Sequence, residues 1–377
     1  MKRCLPLLLL ILLVSCQKKQ QEAAAPAGSG SIRTDSIYYA RGFRIESYPD
    51  FKLVSIENPW HSDKPLQTYI LVPKAQDLPV DLPEGIVVRT PLERTVVFSS
   101  VVCGLLNELN ALPSLAGLAE PEYVDIPAVR TGIADGTIQN IGQASHPDIE
   151  KLLLLAPEAM ITNPVNEAGA GSLEKVAAPA IPCLEWMEPH PLGQTEWIRL
   201  LGLLFDKQAL ADSLFFATVN AYNDLKRLTD TVSVRPSVFT EKKYGDFWYM
   251  PGGKSYFAYL LQDAGANYVF GDNTETGSVP FAFETILDRA GRADYWLFKY
   301  YSPQEITYRQ LAAEYANYAL FDAFGKRNVF ACNTMKTAYY YQELPLHPDW
   351  LLRDLIAVFH PELVPGHEMR YYFRVAE

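Results

Sequence analysis

Thr95-Val96-Val97-Phe98-Ser99-Ser100, running on into Val101-Val102-Cys103-Gly104-Leu105-Leu106-Asn107-Glu108-Leu109-Asn110, is the stretch whose reading decides the fold. A short apolar strand over 95–99 gives way to a helical stretch over about 101–110. The same alternation recurs: a helix over 147–155 precedes a strand over 158–162, and a further strand is expected over 180–184. Past residue 232 it resumes, with strands predicted at 237–240, 295–298 and 329–331 and helices at about 255–264, 303–317 and 348–359. Strands alternating with helices imply parallel sheets covered by helices on their faces. Between the two runs, Leu210, Leu214, Ala217, Ala221, Leu225 and Leu228 fall three or four apart, which predicts one long helix over 206–231 with a single buried stripe. The fold class is therefore α/β: two lobes with parallel-type sheets, over 93–205 and 233–377, joined by one helix over 206–232.

Outward from this core, the N-terminus reads differently. Lys2 and Arg3, the apolar run Leu5 to Val14 and then Ser15-Cys16 make a bacterial secretory signal over 1–15, too short to span a bilayer permanently. Leu13-Val14-Ser15-Cys16 resembles the lipobox of bacterial lipoproteins, which implies cleavage before Cys16 and lipid attachment to it. Residues 16–35 are mostly Gln, Lys, Glu, Ala, Pro, Gly and Ser and read as a flexible tether. Over 36–92 short alternating runs such as Phe51-Lys52-Leu53-Val54-Ser55-Ile56 and Thr68-Tyr69-Ile70-Leu71-Val72 predict a β-rich extension.

Composition bounds the function classes. Signal and tether removed, about 340 residues remain, beyond the size at which a single core usually keeps growing. The formal charge of −11, without any cluster of Lys and Arg, argues against a nucleic-acid or anionic-membrane partner. Of five cysteines, Cys4 leaves with the signal and Cys16 is the lipid site; Cys103, Cys183 and Cys332 fit no metal or redox spacing and are expected as buried thiols.

Enzyme readings find no constellation. His61, His146, His190, His347, His360 and His367 are scattered, with no helical pair beside a glutamate to ligate zinc. No serine stands in a nucleophile elbow, and Pro251-Gly252-Gly253-Lys254-Ser255 lacks the leading glycine of a phosphate-binding loop. No catalytic residue, metal site or cofactor is therefore expected.

Several segments together carry a family resemblance. Thr95 to Ser100, the helix with Leu106 and Leu109, and Leu115-Ala116-Gly117-Leu118 resemble the opening of the periplasmic substrate-binding proteins that serve ABC importers of ferric siderophores, haem and cobalamin. Ile141-Gly142, Pro147-Asp148-Ile149-Glu150-Lys151-Leu152 and Leu155-Ala156-Pro157-Glu158-Ala159-Met160-Ile161 are similar to its next segments, with Ala156 and Glu158 departing from the family's lysine and aspartate. Pro251 to Ser255, Leu260 to Asn267 and Phe283-Glu284-Thr285-Ile286-Leu287 continue the match, which runs from about Arg94 to the C-terminus.

The resemblance implies a lipid-anchored, monomeric binding protein of the periplasm or cell envelope. It would capture an iron complex (ferric siderophore or haem) or cobalamin and deliver it to an ABC importer permease. Glu150 and Glu284 hold the positions at which the family docks one carboxylate per lobe into permease arginines. A helix start favours a carboxylate without any partner, which is the alternative reading of both. The ligand is expected between the lobes, at the C-terminal ends of the parallel strands. Candidate lining residues are Ser100, Tyr123 and Ser145 from the first lobe, and Trp248, Tyr249, Phe281 and Tyr300 from the second. In the glycine-punctuated loop expected over Phe247 to Gly253, the three adjacent rings of Phe247, Trp248 and Tyr249 cannot all enter one core, so at least one is expected to face the cleft; Tyr339-Tyr340-Tyr341 offers no basis for choosing among its rings. A glycan-binding lipoprotein is the alternative class, since stacked aromatics serve sugars as well.

Overall fold

The computed structural model describes residues 33–61, 63–166, 173–335 and 340–377. The signal, Cys16, the tether up to residue 32 and Tyr339 lie outside the described residues.

Three five-stranded sheets form the body. The first consists of Arg33–Thr34, Phe43–Ser47, Lys52–Ile56, Gln67–Pro73 and Ile86–Thr90 in sequence order, antiparallel except for its last, parallel pair. Its period-two pattern points Phe43, Ile45, Val54, Ile56, Tyr69, Leu71 and Val88 to one face. That face shares a core with Trp197, Ile198, Leu201, Leu204, Phe215 and, from the next sheet, Val97. The N-terminal sheet thus has no separate interior; it packs on the first lobe.

In the first lobe all strands are parallel, in the order Ala180–Pro182, Ala159–Thr162, Thr95–Val97, Leu115–Leu118, Gln139–Asn140. Val97 faces one core and Val96 the other, as a strand covered on both sides requires. Ser99 caps helix Ser100–Glu108 by accepting from the Val101 N–H at 3.2 Å, which ends the strand and starts the helix. The second lobe repeats the plan, with Asn267–Tyr268, Ser237–Thr240, Tyr295–Tyr300 and Val329–Asn333 parallel and Phe373–Arg374 as an antiparallel edge. Its helices include Tyr256–Asp263 and Pro348–Phe359, as predicted. The helix expected over 303–317 is shorter, Tyr308–Glu314, because a capping box between Thr307 and Gln310 starts it late.

The connection between the lobes corrects the sequence reading. Two helices stand there, Pro191–Leu204 and Gln208–Thr229, packed on each other; only the second was predicted. Its buried face is Ala211, Phe215, Thr218, Tyr222, Leu225 and Thr229, so of the expected stripe only Leu225 is fully buried. The face is rotated by one residue because burying Phe215 and Tyr222 removes more apolar area from water than burying Leu214 and Ala221. Phe215 belongs to the first-lobe core and Tyr222 to the second, so this one helix is rooted in both. Cys103, Cys183 and Cys332 are buried thiols, and burial pushes the Cys103 thiol up to about 12.

Glu185 opens a 3₁₀ turn directly after the edge strand Ala180–Pro182 and is 1% exposed. Burial raises its carboxyl from 4.5 to about 7, against a smaller opposing pull from the Cys183 thiol beside it. The folded protein therefore holds this proton more tightly than the unfolded chain, so its stabilising effect is complete below pH 4.5 and is lost as pH rises through about 7. Glu185→Gln should shift the stability difference from the parent in the variant's favour by on the order of 2–3 kcal/mol between pH 4.5 and pH 8. Urea unfolding at the two pH values measures it, and identical pH dependence in both proteins would assign the titration elsewhere.

Candidate functional site

Both lobes direct the C-terminal ends of their parallel strands at one cleft. Ser100 follows strand Thr95–Val97, Tyr123 follows Leu115–Leu118, Tyr301 follows Tyr295–Tyr300, and Thr334 and Met335 follow Val329–Asn333. These residues line a single cavity of about 540 Å³, together with Arg130, Tyr340, Tyr341 and Gln342. The crevice beyond the strand ends is where open α/β sheets bind ligands.

Its rings are phenolic, and Glu122 and Asp125 add carboxylates to the lining. Tyr123, Tyr301 and Tyr341 are 56%, 63% and 50% exposed, so broad ring faces from both lobes are free for a ligand. Tyr340 is buried beneath them, edge-on to Tyr341 with ring centroids 5.0 Å apart and to Tyr371 at 5.4 Å. Arg130, the guanidinium in the cavity lining, is paired with Asp125. A second cavity of about 480 Å³ in the second lobe is lined by Tyr244, Tyr249, Lys243, Glu241 and Lys299, the last two paired at 2.5 Å. Among the described residues, no group of three or more His, Cys, Asp or Glu side chains is placed to hold a metal ion. No helix among them is long and apolar enough to cross a membrane.

Of the residues expected to line the site, Ser100 and Tyr123 come together in the interlobe cavity. Trp248 does not. Phe247–Pro251 is a strand, paired with Lys243–Tyr244 and Ser278–Phe281, rather than a loop. Strand alternation splits the aromatic run: Phe247 and Tyr249 face out, while Trp248 is 0% exposed. Its indole N–H donates to Thr240 O at 2.9 Å, and its ring packs against Phe239, Phe321 and Trp296 at 5.6–5.9 Å.

Tyr249 lines the second cavity, and Phe281 lies opposite Trp248 in the sheet, packed on Phe270 at 5.0 Å. Tyr300 secures its loop, donating to Glu305 at 2.5 Å and accepting from the Ile306 N–H at 3.3 Å, while the next residue, Tyr301, takes the cavity position. Ser145 sits exposed at the turn of the hairpin Gly142–Gln143/His146–Pro147, its hydroxyl 3.0 Å from His146 Nδ1, and lines neither cavity. Glu150 and Glu284 are both exposed in the first turns of helices Ile149–Leu155 and Phe283–Ala290. Sequence reasoning missed Tyr301, Thr334 and Met335. Tyr340 and Tyr341 stood in a marked aromatic run, but Thr334 and Met335 carry no signal of their own.

Two α/β lobes on a shared helix, with a cleft walled by strand ends, have the architecture of a solute-binding protein. The chain matches the family model of the periplasmic binding proteins over residues 98–330 and belongs to that family, whose members serve ABC importers and are not enzymes. An uncharacterized lipoprotein of Methanocaldococcus jannaschii is 24% identical over 366 residues, covering 90% of this chain and 86% of that protein. Among solved structures, a periplasmic haem-binding protein of Pseudomonas aeruginosa aligns with a TM-score of 0.58 at 16% identity, over 76% of this chain and 99% of that one. A possible iron-binding, periplasmic solute-binding protein of Staphylococcus epidermidis aligns with a TM-score of 0.56 at 15% identity, over 71% of this chain and 99% of that one. At these identities the likeness is one of fold.

Trp248→Ala should cost about 3–5 kcal/mol of stability, the range for emptying a large core site, whereas Tyr249→Ala should change it by less than about 1 kcal/mol. Denaturant midpoints of the two variants check this, and equal midpoints would put Trp248 back in the cleft.

Proposed function

We propose that this chain is a lipid-anchored binding protein that holds a bulky iron complex (ferric siderophore or haem) or cobalamin in the interlobe cavity and delivers it to an inner-membrane ABC permease. The observation that carries the reading is the cavity of about 540 Å³ with tyrosine faces contributed by both lobes. Phenols offer large apolar faces with a polar edge, which suits a wide ligand carrying peripheral oxygens and amides. The family supports capture for an importer, and the haem-binding and iron-binding proteins of the same fold support the ligand class. Cys16 in its lipobox-like setting and the lipoprotein relative support the anchor. Glu150 and Glu284, exposed at helix starts on separate lobes, support docking into permease arginines.

Titration of the protein with haemin, a cobalamin and ferric siderophores, followed by intrinsic fluorescence, should find one saturating ligand. Tyr301→Ala and Tyr123→Ala should each weaken it at least tenfold, about 1.4 kcal/mol. A protein that stays colourless with all of them and binds an oligosaccharide instead would favour the glycan reading.

In cells, the Glu150→Ala/Glu284→Ala double variant should lose uptake of that ligand while binding it normally in isolation, and Cys16→Ala should leave the membrane fraction. Undiminished uptake would return both glutamates to a helix-capping role, and a membrane-bound, matured Cys16→Ala protein would remove the anchor.

A further inference from the structure

Gln342 lies on the short helix Tyr340–Glu343, which is reached only after the last parallel strand of the second lobe, yet its side chain is spent on the first lobe. The amide is 7% exposed. Its Nε2 donates to Tyr123 O at 2.8 Å, and its Oε1 accepts from the Asp125 N–H at 3.3 Å. Both backbone partners belong to the 123–125 segment, which carries the first-lobe ring of the cavity.

The segment around Gln342 is rooted on both sides. Tyr340 and Leu344 pack in the second-lobe core, whereas Leu346 is fully buried in the first-lobe core with Cys103 and Leu106. Helix Ser100–Glu108 presses against it without a side chain in between: a Cβ on Gly104 would stand 2.1 Å from Gln342 O, a distance no packing permits. Glycine at 104 lets helix and strap meet backbone to backbone.

We infer that Gln342 is a positioning residue, which with Gly104 clamps the lobes and fixes the width of the cavity before any ligand arrives. Helix Gln208–Thr229 joins the lobes at one place, and the 340–346 strap joins them at another. Opening the cleft at the edge that carries Tyr123 therefore requires the strap's two hydrogen bonds to break. The two groups of the amide, a donor and an acceptor, are both met at this lobe angle and by backbone that belongs to the cavity wall. The inference concerns the unliganded protein and holds whatever the cleft binds.

Hydrogen exchange reads the clamp directly, because the Asp125 amide is one of its two bonds. In the full chain without ligand, Gln342→Leu should speed exchange at Asp125 at least tenfold while amides of strand Thr95–Val97 keep the parent's protection. Small-angle scattering should show a larger radius of gyration. Gly104→Ala should produce the same local loss by prising the backbones apart, and Gln342→Glu, which keeps the acceptor but loses the donor, should fall between. Should Gly104→Ala fail to fold, Gln342→Leu decides alone. Parent-like exchange at Asp125 and parent-like scattering in Gln342→Leu would overturn the inference. So would a loss of protection spread evenly over the first lobe, which would make Gln342 a general stabiliser rather than a clamp.

Discussion

Two buried carboxylates make the seam on which the rest of the molecule is built. Glu196 accepts from the N–H groups of Tyr38, Tyr39 and Ala40, and Glu188 from those of Arg41 and Gly42, all at 2.7–3.0 Å. Five successive backbone donors thus end on two side chains of the Pro191–Leu204 region. A buried carboxylate is costly unless its lone pairs are filled, and here Arg199 and the Trp197 indole N–H complete the sets at 2.9 Å and 3.0 Å. Burial still raises the Glu188 carboxyl above its ordinary range, with the Arg41 and Gly42 N–H groups pulling the other way. Gly42 belongs to the same constraint, since a Cβ there would lie 2.5 Å from the Trp197 ring. Through this seam the N-terminal sheet, which has no interior of its own, acquires one.

The same helices set the lobes. Pro191–Leu204 carries Glu196, with Glu188 just ahead of it, turns at Asp206, and returns as Gln208–Thr229 with Phe215 in one lobe and Tyr222 in the other. An order of dependence follows: the N-terminal segment is fixed to the first helix, the first helix to the second, and the second to both sheets. The cleft is the space left between sheets so fixed, and its tyrosines stand at strand ends because that is where parallel sheets leave backbone uncovered.

Much of this was legible in the chain, for physical reasons that vary by element. Strands such as Thr95–Val97 and Val329–Asn333 are short apolar runs because they are covered on both faces, and the N-terminal strands alternate because only one of their faces meets the shared core. Helix Pro191–Leu204 escaped because all of its fourteen residues except Gln194 and Arg199 are buried. A helix enclosed on every side shows no stripe, and Glu196 and Thr195 in its middle look like surface residues until their partners are known. The turn of the Gln208–Thr229 face had a similar cause: two sets of residues one position apart both recur at three or four, and only the volume of the partner cores chooses between them.

The cavity was harder to read than the fold because it is made by long-range juxtaposition. Ser100 and Tyr123 were within reach, since Ser100 follows a recognisable strand and Tyr123 a segment of the family resemblance. Trp248 failed on a local point, loop against strand: in a strand the middle of three consecutive aromatics must face opposite to its neighbours, and here the middle one met Phe239 and Trp296. Tyr300 and Tyr301 differ by a single step at a strand end, where the hydroxyl of one finds Glu305 and releases the other to the cleft. Tyr340, Tyr341 and Gln342 come more than two hundred residues after Tyr123 in the chain, and nothing in their own neighbourhood points to it. What brings them to the first lobe is Leu346, an ordinary leucine whose pocket lies in the other half of the protein. A site of this kind is encoded in which core accepts which side chain, and that information is distributed over both lobes rather than written at the residues that would touch the ligand.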